Sequence, residues 1–570
     1  MTEHLSKDQI LIRKVTEIIL ANLENENFGI KELANESGIS QYRLNRRLRS
    51  ISNKSINQFI NATRLRKALE ILQNEELTSV EQFRESRIST SEIAEKLNVD
   101  YLVEASGQKY GNTFRLRVQL IEAINDKHIW AKSYEEEISE INGIFKIQSQ
   151  VAQAIAAEVN ATITPEEKQL IEKIPTTNLT AYDFFLRGQD ELYIYKSIQI
   201  YRSDLINKQA LKKAEMNFYK ALDYDSTFGR AYIGLADIYW AKHWSGTYLS
   251  ENFLDSVLIL ADRALSYDNQ LAAGFYYRGE YFIQKGETQK ALQEYNMALR
   301  YNPNYWEVYF AVGQNVYLYN YDHMDFVKGL EYLHKALSIN HGKELPFLFR
   351  ELGDAYEEWA GFPDKRKYYF LEAFKLDNDT ISLENFTTDN ERLETLKKRF
   401  SRDSNNLWTL LNLARTYLKL GQDKESLKYT KKYEKRLNER SYLFYSGRTE
   451  IGYIYWKNGF KKEAEKWFNE QIRISDESLK LGRYYSMDAY CDLANIYAFT
   501  DQKAKAYECL RKFSKNLVFP SFRIRWIKED PMLKSIRNEP EFQKIVTDME
   551  SKYQAEHERV RKWLQVQRKL

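Results

Sequence analysis

Residues Gly279 to Pro303 read GEYFIQKGETQKALQEYNMALRYNP, and their small, aromatic and turn residues follow the order of two antiparallel helices. Gly279 and Ala291 let two backbones approach closely. Lys285-Gly286 supplies the turn, because glycine tolerates a positive φ. Tyr295 and Ala298 are placed to pack the second helix onto a following pair, and Pro303 sits where a helix cannot continue. The small residue followed three positions on by an aromatic recurs at Ala236/Tyr239, Gly353/Tyr356, Ala414/Tyr417, Gly452/Tyr455 and Ala494/Tyr497. One such unit cannot bury its own apolar face, so stacking of neighbours is expected. The expected fold class is mainly α: an N-terminal helix-turn-helix, a small α+β meander module, then an α-solenoid of helix pairs.

The offsets in Gly279–Pro303 resemble the tetratricopeptide repeat (TPR), whose period is about 34 residues. Of the equivalent small residues at 236, 279, 313, 353, 414, 452 and 494, only Gly279 and Gly313 are one period apart. The longer steps imply insertions in turns or helices. The widest, between Gly353 and Ala414, holds LDNDTISLENFTTDNERLETLKKRF and reads as an irregular turn plus an extra helix. The resemblance implies a concave face that binds a protein or peptide. No clear Lys and Asn arrangement for clamping a C-terminal carboxylate is visible. After the array, Asp530-Pro531 and Glu539-Pro540 each mark a short helix start, and SKYQAEHERVRKWLQVQRKL reads as a polar basic helix that caps the solenoid or binds a partner.

Composition agrees with an ordered helical protein: 570 residues, 43% hydrophobic, 14% aromatic, and only 8 Pro to interrupt helices. A net charge of +3 gives no reason to expect a protein coated in nucleic acid. The two cysteines, Cys491 and Cys509, are too few for a disulfide framework and lack metal-ligand spacing. No signal peptide and no apolar run of about 18 residues is visible, so a cytoplasmic chain without a membrane span is expected. No metal, cofactor or catalytic constellation is expected.

The N-terminal segment has local asymmetry. Ser37 to Leu69 contains no Asp or Glu, but holds Arg43, Arg46, Arg47, Arg49, Lys54, Arg64, Arg66 and Lys67. Such a basic block on a helical pattern is the footprint of a phosphate-facing surface. Ile30, Leu33 and Ala34 give a first short helix, Gly38 the tight turn, and Ile39 a plug between the helices. Ser40 is a good N-cap for the next helix. That helix turns Leu44 and Leu48 inward and leaves Gln41, Tyr42, Arg43, Asn45 and Arg46 outward. At such positions Arg can pair with guanine, and Gln or Asn with adenine.

FGIKELANESGISQYRLNRRLRSISNKSINQFINATRLRKALEIL resembles the first half of an AraC-type DNA-binding domain, with Arg64, Leu65, Ala68 and Leu72 matching the end of its connecting helix. The resemblance implies duplex DNA contact through Gln41, Tyr42, Arg43, Asn45 and Arg46, with Arg47, Arg49 and Lys54 completing the expected DNA-binding set. The second helix-turn-helix of that family is missing its aromatic-rich segment. One unit reads one half-site, so action on DNA as a homodimer or together with a partner is expected. The alternative is a helical cap or dimerisation piece.

Between these regions, Phe114, Leu116, Val118 and Leu120 alternate with Arg115, Arg117 and Gln119. Alternation argues for half-buried strands. Turn signals at Gly111-Asn112 and Asn125-Asp126 make a three-stranded meander, followed by a helix with Ile144, Phe145, Ile147, Val151, Ile155 and Val159 apolar. IAEKLNVDYLVEASGQKYGNTFRLRVQLIEAINDKHIWAKSY, IFKIQSQVAQAIA and LTAYDFFLRG resemble the C-terminal half of the TolB-like domain found before TPR arrays in some bacterial cyclases and CadC-like regulators. His128 and Trp130 are expected to serve packing.

The expected organisation is a helix-turn-helix at 8–75, a linker at 76–90, the truncated TolB-like segment at 91–175, the array at 178–516, and a helical cap with a basic tail at 517–570. The expected function is a DNA-binding transcriptional regulator whose TPR array senses a protein or peptide. The alternative is a TPR scaffold whose helix-turn-helix no longer binds DNA.

Overall fold

The computed structural model describes residues 11, 15, 18, 30–52, 89–97, 99–110, 113–137, 141–159, 165–198, 204–246, 251–340, 342, 344–377, 388–402, 404–439, 448–482 and 487–567. The chain divides into two compact units, residues 1–88 and 89–570.

In the first unit, the helices Ile30–Ser37 and Gln41–Ser52 meet at a tight turn. Gly38 holds φ +71° there. Its N–H donates to Asn35 O, and the Ile39 N–H reaches back to Ala34 O at 3.2 Å. This closes the first helix by satisfying carbonyls at its end. Leu33, Leu44 and Leu48, each 0% exposed, form a small core with Leu11, Val15 and Ala34.

The second unit opens with the helix Thr90–Leu97 and an antiparallel meander, β1 (Tyr101–Tyr110), β2 (Thr113–Glu122) and β3 (Lys127–Glu137). Arg115 and Glu135 are register partners across β2 and β3 and form an ion pair. Val118, Tyr134 and Ile147 make the core between the sheet and the helix Ile141–Glu158, with Trp130 packed against it. His128 is exposed instead. The strict alternation in β2 ends at a bulge between Leu120 and Ile121, which lets both side chains be buried.

The rest is a TPR-like helical solenoid running in pairs from Leu179–Ile198 with Asp204–Tyr224 to Asp488–Phe499 with Lys503–Phe513. Within many pairs the first helix ends on a left-handed residue: Gly286, Gly361, Gly421, Gly459 or Asp501. Four of these lie seven positions after a small residue, Gly279, Ala414, Gly452 or Ala494. The Gly353–Gly361 step is one residue longer because Ala355–Trp359 winds as a π-helix. Another π-helical turn, Val312–Leu318, follows Trp306–Ala311. These insertions are one physical reason why the period wanders.

Gly279 meets more than a backbone. A Cβ there would lie 2.5 Å from Tyr295 Cε1, and one at Gly452 would lie 2.4 Å from Phe468 Cε1. Tyr295 therefore seals its own pair, as well as joining the core shared with Val308, Ala311 and Val312 of the next. The extra helix in the long insertion is Asp389–Arg402, opened by a capping box in which Thr388 and Glu391 exchange hydrogen bonds. The preceding residues 378–387 lie outside the described set.

Pro531 begins a 3-10 turn, but Pro540 begins a helix running to Val566, longer than the short element expected. It packs back on residues about 200 positions or more earlier. Glu556 accepts the Phe326 N–H at 2.8 Å, Trp563 donates to Glu331 at 3.0 Å, and the His557 ring nitrogen Nδ1 meets Ala360 O at 2.6 Å. Phe542, Met549, Val560 and Leu564 enter the same core as Leu330, Tyr356 and Trp359. A simple solenoid touches only its neighbours; this C-terminal helix also ties the middle of the array to its end.

Candidate functional site

Two surfaces have the geometry of contact sites. The first is the outer face of Gln41–Ser52. Burial of Leu44 and Leu48 fixes the rotation of this helix, so Gln41, Arg43, Arg46 and Arg47 are exposed and Asn45 is half-buried. Tyr42 and Arg49 belong to the same helix, but their side chains lie outside the described set, as does the whole of Lys54. The structure thus brings together four of the eight expected DNA-binding side chains on an open face and sets Asn45 at its margin.

The second candidate lies on the first helices of successive pairs. Lys196, Asp237, Glu280 and Glu307 come from four successive pairs, and Glu344 precedes the next. Lys196 Nζ lies 2.6 Å from Asp237 Oδ2. The Lys196 side chain keeps 55% of its surface open. Desolvation pulls its pKa down, but Asp237, Glu307 and Glu344 outweigh this and hold it above the ordinary value.

The neighbouring carboxyls are destabilised as anions. Burial pushes Glu280 up to about 7, against the Tyr295 hydroxyl that donates to it at 2.7 Å. Burial also takes Glu307 to about 7, opposed by its own backbone N–H and Lys196 and reinforced by Glu344 and Asp237. Tyr276, Tyr277 and Tyr305 share this environment, and desolvation raises all three hydroxyls. Further along, burial takes Glu351 to about 8, with Asp354 adding to the effect. Burial raises Asp492 to about 7. Sequence inspection missed these residues because they are scattered over 300 positions; only the repeat register aligns them.

Among the described residues, no group of three or more His, Cys, Asp or Glu side chains is arranged to hold a metal ion. Cys491 and Cys509 are free and buried, and desolvation lifts both thiols, Cys509 to about 11. No helix among the described residues is long and apolar enough to cross a membrane.

Comparison with known proteins agrees with the helix-pair geometry. The tetratricopeptide-repeat family model matches residues 446–478 and 488–515. The protein described as "Putative adenylate cyclase 3" of Rhizobium meliloti (strain 1021) is 22% identical over 187 residues, 32% of this chain and 29% of its own length. The chain therefore matches under a third of that relative. Among solved structures, the MamA protein is 19% identical, with 35% of this chain and 94% of that one covered at a TM-score of 0.23. PilF of Pseudomonas aeruginosa is 16% identical, with 46% and 96% covered at a TM-score of 0.25. Residues 446–478 and 488–515 are thus tetratricopeptide repeats, a kind of fold that binds peptides or proteins, and the other helix pairs are TPR-like.

Proposed function

We propose that this chain is a DNA-binding transcriptional regulator in which Gln41–Ser52 reads a half-site in the major groove and the tetratricopeptide array binds a regulatory protein or peptide. The observation that carries the first part is the exposed face of Gln41, Arg43, Arg46 and Arg47 on a helix held by Leu44 and Leu48. A helix so anchored offers its N-terminal residues to base edges, and its arginines to guanine or phosphate. The resemblance to an AraC-type unit supports the same assignment. One unit per chain implies a homodimer on a two-fold site, with half-sites about one helical turn apart.

The array's part is recognition rather than catalysis. The cyclase likeness is too short to carry that protein's activity here, and the proposed role is non-enzymatic and cytoplasmic. The TolB-like segment, β1–β3 and the helix after it, is proposed as the coupling module. Coupling requires that a partner on the array bind the DNA-competent state more tightly, by typically 1–3 kcal/mol.

Selection of bound sequences from a random duplex pool tests the reading. The full chain is expected to enrich a short two-fold motif, and R43A/R46A to lose that enrichment. A wild-type chain that enriches nothing would leave the scaffold alternative, which the repeat match by itself supports.

A further inference from the structure

The helix Asp423–Glu439 bears a row of exposed lysines. Lys424, Lys428, Lys431 and Lys435 follow at steps of four, three and four, with Lys432 beside them, while Ser426, Tyr429, Thr430 and Tyr433 are buried behind. Those steps place the lysines on one face of a helix, over roughly 16 Å at 1.5 Å per residue. The helix Asp389–Arg402 packs alongside through Phe400, whose ring meets Tyr429 at 5.4 Å, and adds the exposed Lys397 and Lys398.

The charge here is not balanced as a merely solvated helix face would be. Residues 389–439 contain 13 Lys and Arg against 8 Asp and Glu, a larger excess than the +3 of the whole chain. Two acidic residues of the lysine helix are engaged away from the row, and a third offsets one lysine of it. Asp423 pairs with Lys457 at 3.0 Å, Glu434 accepts the Tyr455 hydroxyl, and Glu425 neutralises Lys428 at 2.8 Å. Among the described residues, no carboxylate forms an ion pair with Lys398, Lys424, Lys431, Lys432 or Lys435. Several cations instead lie over rings: Lys431 is 4.6 Å from the Phe460 centroid, Lys432 is 4.7 Å from that of Phe400, and Arg399 is 5.2 Å from that of Trp408.

We propose that this lysine face is a second, sequence-independent surface for duplex DNA, separate from the helix-turn-helix. A duplex carries about one negative charge per 1.7 Å of axis, so a straight row of cations faces a continuous line of phosphates. Lysine suits this task because its ammonium is a compact, rotatable point charge that needs no fixed partner geometry. An acidic protein offers discrete carboxylates, and would not call for so regular a row. The proposal goes beyond the half-site reading and does not depend on it.

The test measures affinity of the full chain for a random duplex across a salt series, using K424Q/K431Q/K432Q/K435Q and R43A/R46A separately. Each lost phosphate contact removes about 0.9 from the slope of log K against log salt, so the quadruple variant is expected to lose roughly 3 to 4 and R43A/R46A at most about 2. K424Q/K435Q, whose residues make no ring contact, should lose about half as much as the quadruple variant, which keeps the test readable if the larger substitution misfolds. A slope unchanged in both lysine variants overturns the proposal, as does a wild-type chain that binds no duplex. Loss in the lysine variants alone would retain the proposal and sink the helix-turn-helix reading; loss in R43A/R46A alone would do the reverse. Tighter binding of polyglutamate than of DNA at equal salt would overturn it in favour of an acidic protein partner.

Discussion

Gly38 and Gly421 end their helices in the same way, yet the helices that follow them meet different surroundings. Each glycine holds a φ near +70° and donates to the carbonyl three residues back; the next residue, Ile39 or Gln422, donates to the carbonyl five back. The device recurs at Gly286 and Gly459. In the array the second helix is covered by its own pair and by the next, as Ala291, Tyr295 and Ala298 show. In the N-terminal unit, Leu44 and Leu48 alone anchor Gln41–Ser52 among its described side chains, and the arginine face stays open. The local turn specifies a helix pair; what remains uncovered afterwards specifies its use.

The comparison breaks most readily at its thin side. Leu48→Ala removes a fully buried side chain from a core of which six buried residues are described, and should cost about 2–5 kcal/mol. Exchange protection in residues 30–48 is expected to collapse, and DNA affinity with it, while the melting of the array is unchanged. Loss of array stability would show that the two units fold as one.

The reciprocal substitution is Gly452→Val, which drives a side chain into the Phe468 ring. Overpacking of this kind costs about 1–3 kcal/mol. The array should melt earlier while the exchange protection of residues 30–48 stays as it was. An array that melts unchanged would mean that Phe468 moves aside freely and that the small residue is not required.

The buried carboxyls of the array sharpen the contrast through pH. Glu280 titrates near 7 in the folded chain, against 4.5 for the ordinary group. A raised carboxyl binds more protons folded than unfolded, so its contribution to stability is full below about 4.5 and lost as pH rises to about 7. Glu280→Gln should flatten the stability profile in that window by up to about 1.4 kcal/mol per pH unit. An unaltered profile would place the charge elsewhere.

The smallest effect tests the shared turn itself. At Gly38 and at Gly421 an added Cβ meets nothing within 4 Å, so Ala pays only the left-handed conformation, about 1 kcal/mol at both. Gly286→Ala should cost more, because its Cβ would lie 2.4 Å from Gly482 O. Unequal costs at Gly38 and Gly421, by urea denaturation, would mean that the turns differ in more than their setting.

The helix pairs and the meander were legible because their signals are local: glycine at a left-handed turn, alternation in β2, a small residue facing a ring. The outward placement of Arg43 and Arg46 followed from the spacing of Leu44 and Leu48. The buried and paired carboxyls were not legible, since Lys196 and Asp237 pair only once the helix pairs are stacked. Neither was the return of the C-terminal helix, whose Glu556 finds Phe326 across 230 positions, nor the π-helical turn that shifts Gly361 by one residue. Long-range contacts of this sort leave no periodicity in the chain.

The central claim is that the uncovered face of Gln41–Ser52 touches DNA whereas the exposed acidic position Glu465, on an array helix outside the lysine face, does not. Photo-crosslinking of the full chain to duplex DNA tests it most directly, with a benzophenone side chain placed at Gln41, at Arg46, or at the exposed Glu465 of Lys461–Leu481. The account predicts crosslinks from positions 41 and 46 and none from 465. Equal yields from all three positions, or none from 41 and 46, would contradict it.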